Sequence, residues 1–340
     1  MLIMTQELIL HAWHKKNAFF YLVLVPLSWL FGLATALRRW AYQMGVFKSY
    51  ALSVPVIVVG NISLGGSGKT PVVMWLAEQL KQRGYKPGVI SRGYGGSAKL
   101  PTSVNANSSA AQVGDEPVLI AKRSACPVWV GENRVRVACD LLKAHPECNV
   151  IISDDGLQHY ALKRDFEIAV IGDDGLNEHA LNNDALEPAW ILPAGPMRES
   201  NARLNSVDAI VYNGHQASRQ GYQMQLIGTQ FYNLANALLK AKAVDFKGKS
   251  VKAMAGIGKP TRFFEHLRHL GLTFAGVSFD DHHAYTAADL AELDCDVLLM
   301  TEKDAVKCQH FAQVHHWVLP VEANIDEALL DKVLEKIAKK

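Results

Sequence analysis

The apolar positions come mostly in short unbroken runs, and stretches with helical spacing separate them. Val54 to Val59 is a largely β-branched run, which reads as a strand buried on both faces. A glycine-rich turn follows, and then a helix with Val73, Trp75, Leu76 and Leu80 on its apolar side. The alternation continues with a strand over Gly88 to Ser91 and a helix opened by Gly114-Asp-Glu-Pro117. Val128 to Val130 is the next strand, Asn133 to Ala144 a helix, and Val150 to Ser153 a strand running into Asp154-Asp155. Phe166 to Ile171 and Ala209 to Tyr212 are further strands, while polar Ala98 to Val113 reads as an exposed loop or hairpin. Strands and helices alternating across short turns predict an α/β fold with a doubly wound parallel sheet.

Near Gly214 to Lys249 the pattern weakens, and Gly221 to Gly228 looks like antiparallel or linker structure. A second, smaller α/β unit then begins at Val251, and the chain closes on a helix around Glu327 to Ile337. The expected domains are an N-terminal membrane-associated helix over 1–45, a phosphate-loop core over 46–215 and a C-terminal α/β domain over 216–340.

The N-terminus departs from this globular pattern. Ala18 to Leu37 contains no charged residue, and as a helix it is about 30 Å long, the thickness of a bilayer core. His11, His14, Lys15 and Lys16 precede it, and Arg38, Arg39 and Lys48 follow. Trp13, Tyr21, Trp29, Trp40 and Tyr42 are interfacial anchors of the membrane kind. Positive charge on both flanks leaves open whether the helix crosses the bilayer or lies along one leaflet. A signal peptide ending near Ala34-Thr-Ala36 and a buried core helix are the alternatives. Against the first, the run is long and starts late.

Composition narrows the picture. Of 340 residues, 49% are hydrophobic and 20% charged, which suits a chain that buries a core. A formal net charge of +2 gives no bulk attraction to nucleic acid. The five cysteines are scattered and lack a C-x-x-C pair, so neither a disulfide framework nor a zinc site is indicated.

The candidate chemistry starts in the glycine turn. Gly65, Gly66 and Gly68 precede Lys69 and Thr70, between a strand and a helix, which is the context of a phosphate-binding loop. Backbone N–H groups of such a loop converge on phosphate oxygens, and the helix N-terminus adds partial positive charge. The expected ATP cradle is Ser63, Leu64, Gly65, Gly66, Ser67, Gly68, Lys69 and Thr70. Lys69 would reach the β- and γ-phosphates, and the Thr70 hydroxyl would face Mg²⁺. Ser63 stands where the usual loop pattern has its first glycine. Asp154-Asp155, at a strand end, is a candidate Mg²⁺ site; a solvated Asp-Asp-Gly turn is the alternative. Asp115-Glu116 opens a helix, where a plain N-cap is the alternative. Asp280-Asp-His-His-Ala-Tyr285 sets carboxylates beside imidazoles, which suits proton transfer, metal binding or a helix cap. Pro193 to Glu199 is a rigid turn delivering Arg198 and Glu199, either to phosphate or Mg²⁺ or as structure alone. Gly256-Ile-Gly-Lys259 lacks Ser or Thr after its lysine and reads as a turn.

Seven segments occur in a fixed order: Gly60-Asn-Ile-Ser-Leu-Gly-Gly-Ser-Gly-Lys-Thr-Pro71, Ser91-Arg-Gly-Tyr-Gly-Gly96, Gly114-Asp-Glu-Pro117, Asp154-Asp-Gly-Leu-Gln-His159, Leu192-Pro-Ala-Gly-Pro-Met-Arg-Glu199, Ala255-Gly-Ile-Gly258 and Thr301-Glu-Lys-Asp304. With them the chain closely resembles the tetraacyldisaccharide 4′-kinases of lipid A biosynthesis, from the N-terminal apolar helix through Lys307. The resemblance accounts for Ser63, since that family's loop reads Gly-Asn and then Gly-Gly-x-Gly-Lys-Thr-Pro.

It implies transfer of the ATP γ-phosphate to the 4′-hydroxyl of a tetraacyl glucosamine disaccharide 1-phosphate, giving lipid IVA at the cytoplasmic face of the bacterial inner membrane. It implies Asp115 and His282 as the catalytic pair, beside Lys69, with His283 an extra neighbour. Thr70, Asp154, Asp155 and Glu199 are the implied Mg²⁺ ligands. The expected partners are the acylated disaccharide and the lipid surface, with no nucleic acid and no obligate protein partner. A partitioning-type ATPase is disfavoured, because Leu64 stands where those carry a second lysine. A GTPase is disfavoured because no Asn-Lys-x-Asp motif is in register.

Overall fold

The computed structural model describes residues 19–172, 190–214 and 221–338. Ala18, Trp13 and the basic residues before it lie outside them. The first described helix is α1 (Phe20–Gln43). β1 (Val56–Gly60), α2 (Lys69–Gln82), β2 (Pro87–Ser91), β3 (Thr102–Val104), α3 (Asp115–Ser124), β4 (Val128–Val130), α4 (Arg134–Ala144) and β5 (Val150–Asp154) follow. Next come β6 (Phe166–Gly172), β7 (Ala209–Asn213), β8 (Tyr222–Ile227), β9 (Gln230–Asn233), β10 (Lys240–Lys242) and β11 (Val251–Ala255). The chain then runs through α5 (Pro260–His269), β12 (Ala275–Ser278), α6 (Ala287–Ala291) and β13 (Val297–Thr301). It ends with α7 (Glu302–Cys308), β14 (His316–Leu319), β15 (Glu322–Ile325) and α8 (Glu327–Ile337). The α/β class and the parallel pairing follow the sequence pattern closely.

Packing divides the chain into two compact units that are discontinuous in sequence: Met1–Lys69 with Asp155–Met224 and Asp326–Lys340, and Thr70–Asp154 with Gln225–Ile325. The sequence pattern drew a single boundary near residue 215.

In the first unit β1 pairs parallel with β6, β6 with β7, and β7 with β8. Val56 to Val59 are fully buried, as expected of a β-branched central strand. β8 corrects the expectation of antiparallel or linker structure, because Val211 to Asn213 pair in parallel with Tyr222 to Met224. Its alternation of apolar and polar side chains marks a half-buried strand, but alternation carries no information on direction. On α1, Phe20, Leu24 and Val25 pack on Ala194 and Trp190, and Ser28 Oγ donates to the Ile191 carbonyl at 2.7 Å. Most of the other apolar side chains of the helix point outward, with Leu22 77%, Trp29 67% and Leu30 63% exposed. α1 is therefore not a core helix.

In the second unit β5, β2 and β4 run parallel, and β3 closes the edge antiparallel to β4. A further sheet has the order β10-β9-β14-β13-β11-β12. Its core is Phe231, Phe246, Phe263, Phe264, Leu267 and Leu299 with their neighbours. Aromatic rings of this size bury the most area per residue.

Candidate active site

The first unit holds the glycine loop. β1 ends at Gly60, where a Cβ would lie 2.8 Å from Leu157 Cγ, so the strand end is closed to any side chain. Gly65 and Gly68 take φ of +103° and +93°, backbone that glycine adopts without strain. Ser67 is buried and held twice: Asn61 Nδ2 donates to its hydroxyl at 3.2 Å, and Asn213 Nδ2 to its carbonyl at 3.1 Å. The Pro193–Glu199 turn lies along the rising arm of the loop. Leu64 N donates to the Pro196 carbonyl at 2.8 Å, and Arg198 N to the Ile62 carbonyl at 2.7 Å. That turn therefore shapes the loop through backbone bonds and also delivers Arg198.

Arg198 and Lys69 meet on Asp155. The Arg198 guanidinium donates to both carboxylate oxygens at 3.0 Å, and Lys69 Nζ lies 3.6 Å from Oδ1. Two cations around one carboxylate leave an excess of positive charge in the loop, which suits a polyphosphate. Glu199 is buried, and each of its oxygens is already bonded. Gln158 Nε2 donates to Oε1 at 2.8 Å and Tyr160 OH to Oε2 at 2.6 Å. Burial, with the Glu199 charge beside it, pushes the Tyr160 hydroxyl up to about 12, so it stays a donor.

The four residues expected to hold Mg²⁺ divide between the units. Asp155 and Glu199 belong to the first unit, where protein donors satisfy both carboxylates. Thr70 and Asp154 belong to the second. Asp154 is buried at the end of β5 and accepts from Ser91 Oγ at 3.0 Å, and Thr70 sits in the first turn of α2. A hydroxyl and a carboxylate are hard oxygen donors of the kind Mg²⁺ takes, usually alongside waters and phosphate oxygens. Among the described residues no group of three or more His, Cys, Asp or Glu side chains comes together as a metal cage.

The second unit brings Asp115 and His282 together across 167 residues of chain, with His282 Nδ1 3.1 Å from each Asp115 carboxylate oxygen. Gly114, at φ +89°, turns the chain into α3, and a Cβ there would lie 2.7 Å from the Tyr94 carbonyl. Asp115 is the first residue of α3, where the helix dipole favours a carboxylate. His282 itself has φ +62°, with its N–H donating to Asp281 Oδ1 at 3.0 Å. Tyr94 covers the imidazole at a ring separation of 5.1 Å. The hydrogen bond with Asp115 raises the imidazole pKa above its ordinary value, against the opposing effect of burial. Burial alone would raise the Asp115 carboxyl, but the bond from His282 and the charges of Lys303 and Lys307 outweigh it and hold it low. With the proton on Nδ1 against the carboxylate, Nε2 would be the acceptor, an arrangement that suits a general base.

His283 takes a different place. Its Nε2 lies 3.4 Å from Asp289 Oδ2, and its ring packs 4.8 Å from Phe279. Two residues that the sequence pattern did not single out do join the pair, both from α7. Lys303 Nζ donates to Glu116 Oε1 and to Asp281 Oδ1, each at 3.1 Å, and Lys307 Nζ lies 3.1 Å from Asp304 Oδ1 and 3.9 Å from Asp115 Oδ2. Their signal was their spacing, since residues four apart share one helix face. Thr301 caps that helix by accepting from Asp304 N at 3.2 Å. Gly256-Ile-Gly-Lys259 forms the turn between β11 and α5, with Gly256 N donating to Asp304 Oδ1 at 3.2 Å.

Comparison with known proteins now bears on this arrangement. The family model described as tetraacyldisaccharide-1-P 4'-kinase matches residues 20–339. This chain belongs to that family. It is 50% identical to the tetraacyldisaccharide 4'-kinase of Methylobacillus flagellatus over 94% of this chain and 92% of the relative. It is 46% identical to that of Azoarcus sp. over 93% and 92%. Among solved structures, that of LpxK from Aquifex aeolicus in complex with ATP superposes with a TM-score of 0.75 at 29% identity, covering 92% of this chain and 97% of that one. The chain is an ATP-dependent kinase of lipid A biosynthesis.

Proposed function

We propose that this kinase moves the γ-phosphate of ATP to the 4′-hydroxyl of a tetraacyl glucosamine disaccharide 1-phosphate. The observation that supports a hydroxyl acceptor is the Asp115–His282 pair, with Nδ1 3.1 Å from the carboxylate. A sugar hydroxyl has a pKa far above neutrality, so a positioned base assists its attack. In this reading Nε2 of His282 takes the hydroxyl proton while the oxygen forms its bond to the γ-phosphorus. The bond to the departing ADP breaks, and Asp115 stabilises the imidazolium. Lys69 and the loop N–H groups neutralise the phosphates, and Arg198 fixes Asp155 beside them. Thr70 and Asp154 would hold Mg²⁺. The ion would offset charge on the β- and γ-oxygens.

The outward face of α1 supports a lipid-bound substrate. We place α1 in or on the inner membrane, with the site facing the cytoplasm. The acyl chains then stay in the leaflet while the head group reaches the site.

Incubation with γ-labelled ATP and a panel of glycolipid acceptors tests the reading. Label is expected on the 4′ position of the tetraacyldisaccharide 1-phosphate alone. ATP turnover with no labelled lipid would support a nucleotide-driven switch instead.

A further inference from the structure

Lys303 meets both the His282 ring and the carboxylate that holds it. Its Nζ is 3.5 Å from Nε2, the nitrogen opposite Asp115, and 4.0 Å from Asp115 Oδ2. Glu116 and Asp281 grip the ammonium from two sides at 3.1 Å, and its side chain is only 15% exposed. A buried lysine in this setting keeps its proton, because three carboxylates surround it and outweigh burial.

The groups facing the imidazole can be set out element by element. α3 contributes the Asp115 carboxylate on Nδ1, with Glu116 next to it. The loop that carries His282 contributes Asp281, whose Oδ2 is 3.8 Å from Nε2. α7 contributes Lys303 at Nε2, and Lys307 behind Asp115. The segment after β2 contributes only the face of Tyr94. Two carboxylates beside one imidazole, Asp115 and Asp281, would together favour the imidazolium, which cannot accept a proton. Lys303 is the cation among them that meets Nε2 itself.

We infer that Lys303 is a positioning residue of this kinase: its clamped ammonium keeps Nε2 of His282 unprotonated at working pH, so that the ring can take the proton of the acceptor hydroxyl. The inference rests on the reading of His282 as the general base. An ammonium has no lone pair, and here it is bonded to Glu116 and Asp281, so its charge opposes a proton on Nε2 without claiming the lone pair that receives the hydroxyl proton. It thereby selects the tautomer whose proton sits on Nδ1 against Asp115. After transfer, the new Nε2–H faces the same positive charge, which favours its release and resets the ring. Arginine is the conservative replacement, because it keeps the charge.

The test uses the full chain and two independent readouts. The first is the imidazole titration of His282 by NMR, assigned by its loss in His282→Gln. The second is the pH profile of kcat/KM. In Lys303→Met the His282 midpoint is expected to rise by about one pH unit, since a like charge within contact range is removed. The acid limb of kcat/KM should rise with it, so that the loss is about tenfold on the acid side and shrinks as pH is raised. Lys303→Arg should keep both midpoints near their original values. If Lys303→Met does not fold, Lys303→Gln carries the same expected shift.

A folded charge-removing variant whose His282 midpoint stays in place overturns the inference, as does a loss of kcat/KM equal at every pH. Failure of the base reading shows up differently. The acid limb would persist in His282→Gln, while the NMR titration would still report on Lys303.

Discussion

The side-chain amide of Asn213 occupies the space that a side chain on Gly68 would need. A Cβ there would lie 2.5 Å from Asn213 Nδ2 and 2.8 Å from Met224 Cε, on backbone already at φ +93°. The same amide donates to the Ser67 carbonyl, so the end of β7 fixes the glycine loop. Gly68→Ala should therefore strain the loop by roughly 1–3 kcal/mol. ATP affinity should fall about ten- to a hundredfold with little change in melting temperature. Isothermal titration with a non-hydrolysable ATP analogue reads this directly. Affinity within a factor of two of the parent would show that the loop tolerates a side chain there.

Lys69 meets only charge. Its neighbour is the Asp155 carboxylate at 3.6 Å, which Arg198 also holds. Removing the lysine should leave Asp155 paired and the fold intact. Lys69→Ala is expected to lower turnover by at least about a hundredfold, as for the loss of one preorganised charge at a transferring phosphoryl group. Circular dichroism and a labelled-phosphate assay on one preparation separate chemistry from folding. Near-parent activity in the folded variant would remove Lys69 from the site.

The two faces of α1 predict how its membrane role is separated from its structural one. Phe20, Leu24, Val25 and Ser28 are committed to the 190–194 segment, so truncating the helix would also strip that packing. Leu30 and Leu33 are exposed and touch no part of the core. A Leu30→Glu, Leu33→Glu double variant should fold and bind ATP as the parent does, yet lose most of its sedimentation with vesicles of anionic phospholipid. Two charges at bilayer depth cost on the order of several kcal/mol, enough to reverse partitioning. If the variant sediments as before, the outward face of α1 is not the lipid contact.

How far these features were legible in the sequence follows from the range of the interactions. The strand at Val56 to Gly60 and the loop behind it are local: burial writes a β-branched run, and backbone at positive φ writes glycine. The helix read over Asn133 to Ala144 was equally local, with Asn133 proving to be its N-cap by accepting from Arg136 N at 3.1 Å. β8 was read as antiparallel or linker structure, and neither its presence nor its direction was settled, since side-chain alternation is the same in parallel and antiparallel pairs. Lys303, inside Thr301-Glu-Lys-Asp304, and Lys307 offered only their spacing, and their place beside the pair was not legible. Lysines on a short helix read as solvated, and only the fold of the second unit puts them among Asp115, Glu116 and Asp281. Glu199 was visible as a carboxylate in a rigid turn. That Tyr160 and Gln158 would satisfy both its oxygens depends on contacts 39 and 41 residues away, which no local pattern records.

Asp115 and His282 should behave as one functional unit, and three measurements together test this. The ring nitrogen lies 3.1 Å from both carboxylate oxygens, so removing either partner dissolves the same hydrogen bond and the same tautomer control. Asp115→Ala and His282→Ala are each expected to lower kcat by about a hundred- to ten-thousandfold while changing the KM for ATP little. The double variant should cost little more than the worse single one, because groups acting together are not additive. His283→Ala is the control. Its ring packs on Phe279 and faces Asp289, so a stability loss and a near-parent kcat are expected. The sign of the pH dependence follows from the bond to Asp115, which raises the His282 pKa above its ordinary value. A base must be unprotonated to act, so kcat/KM should fall as pH drops through that raised value and level off above it. Without Asp115 the stabilising bond is gone, and the residual acid limb of Asp115→Asn should move to lower pH. Additive losses in the double variant, or a larger loss from His283→Ala than from His282→Ala, would mean that the pair seen in the structure is not the pair that does the chemistry.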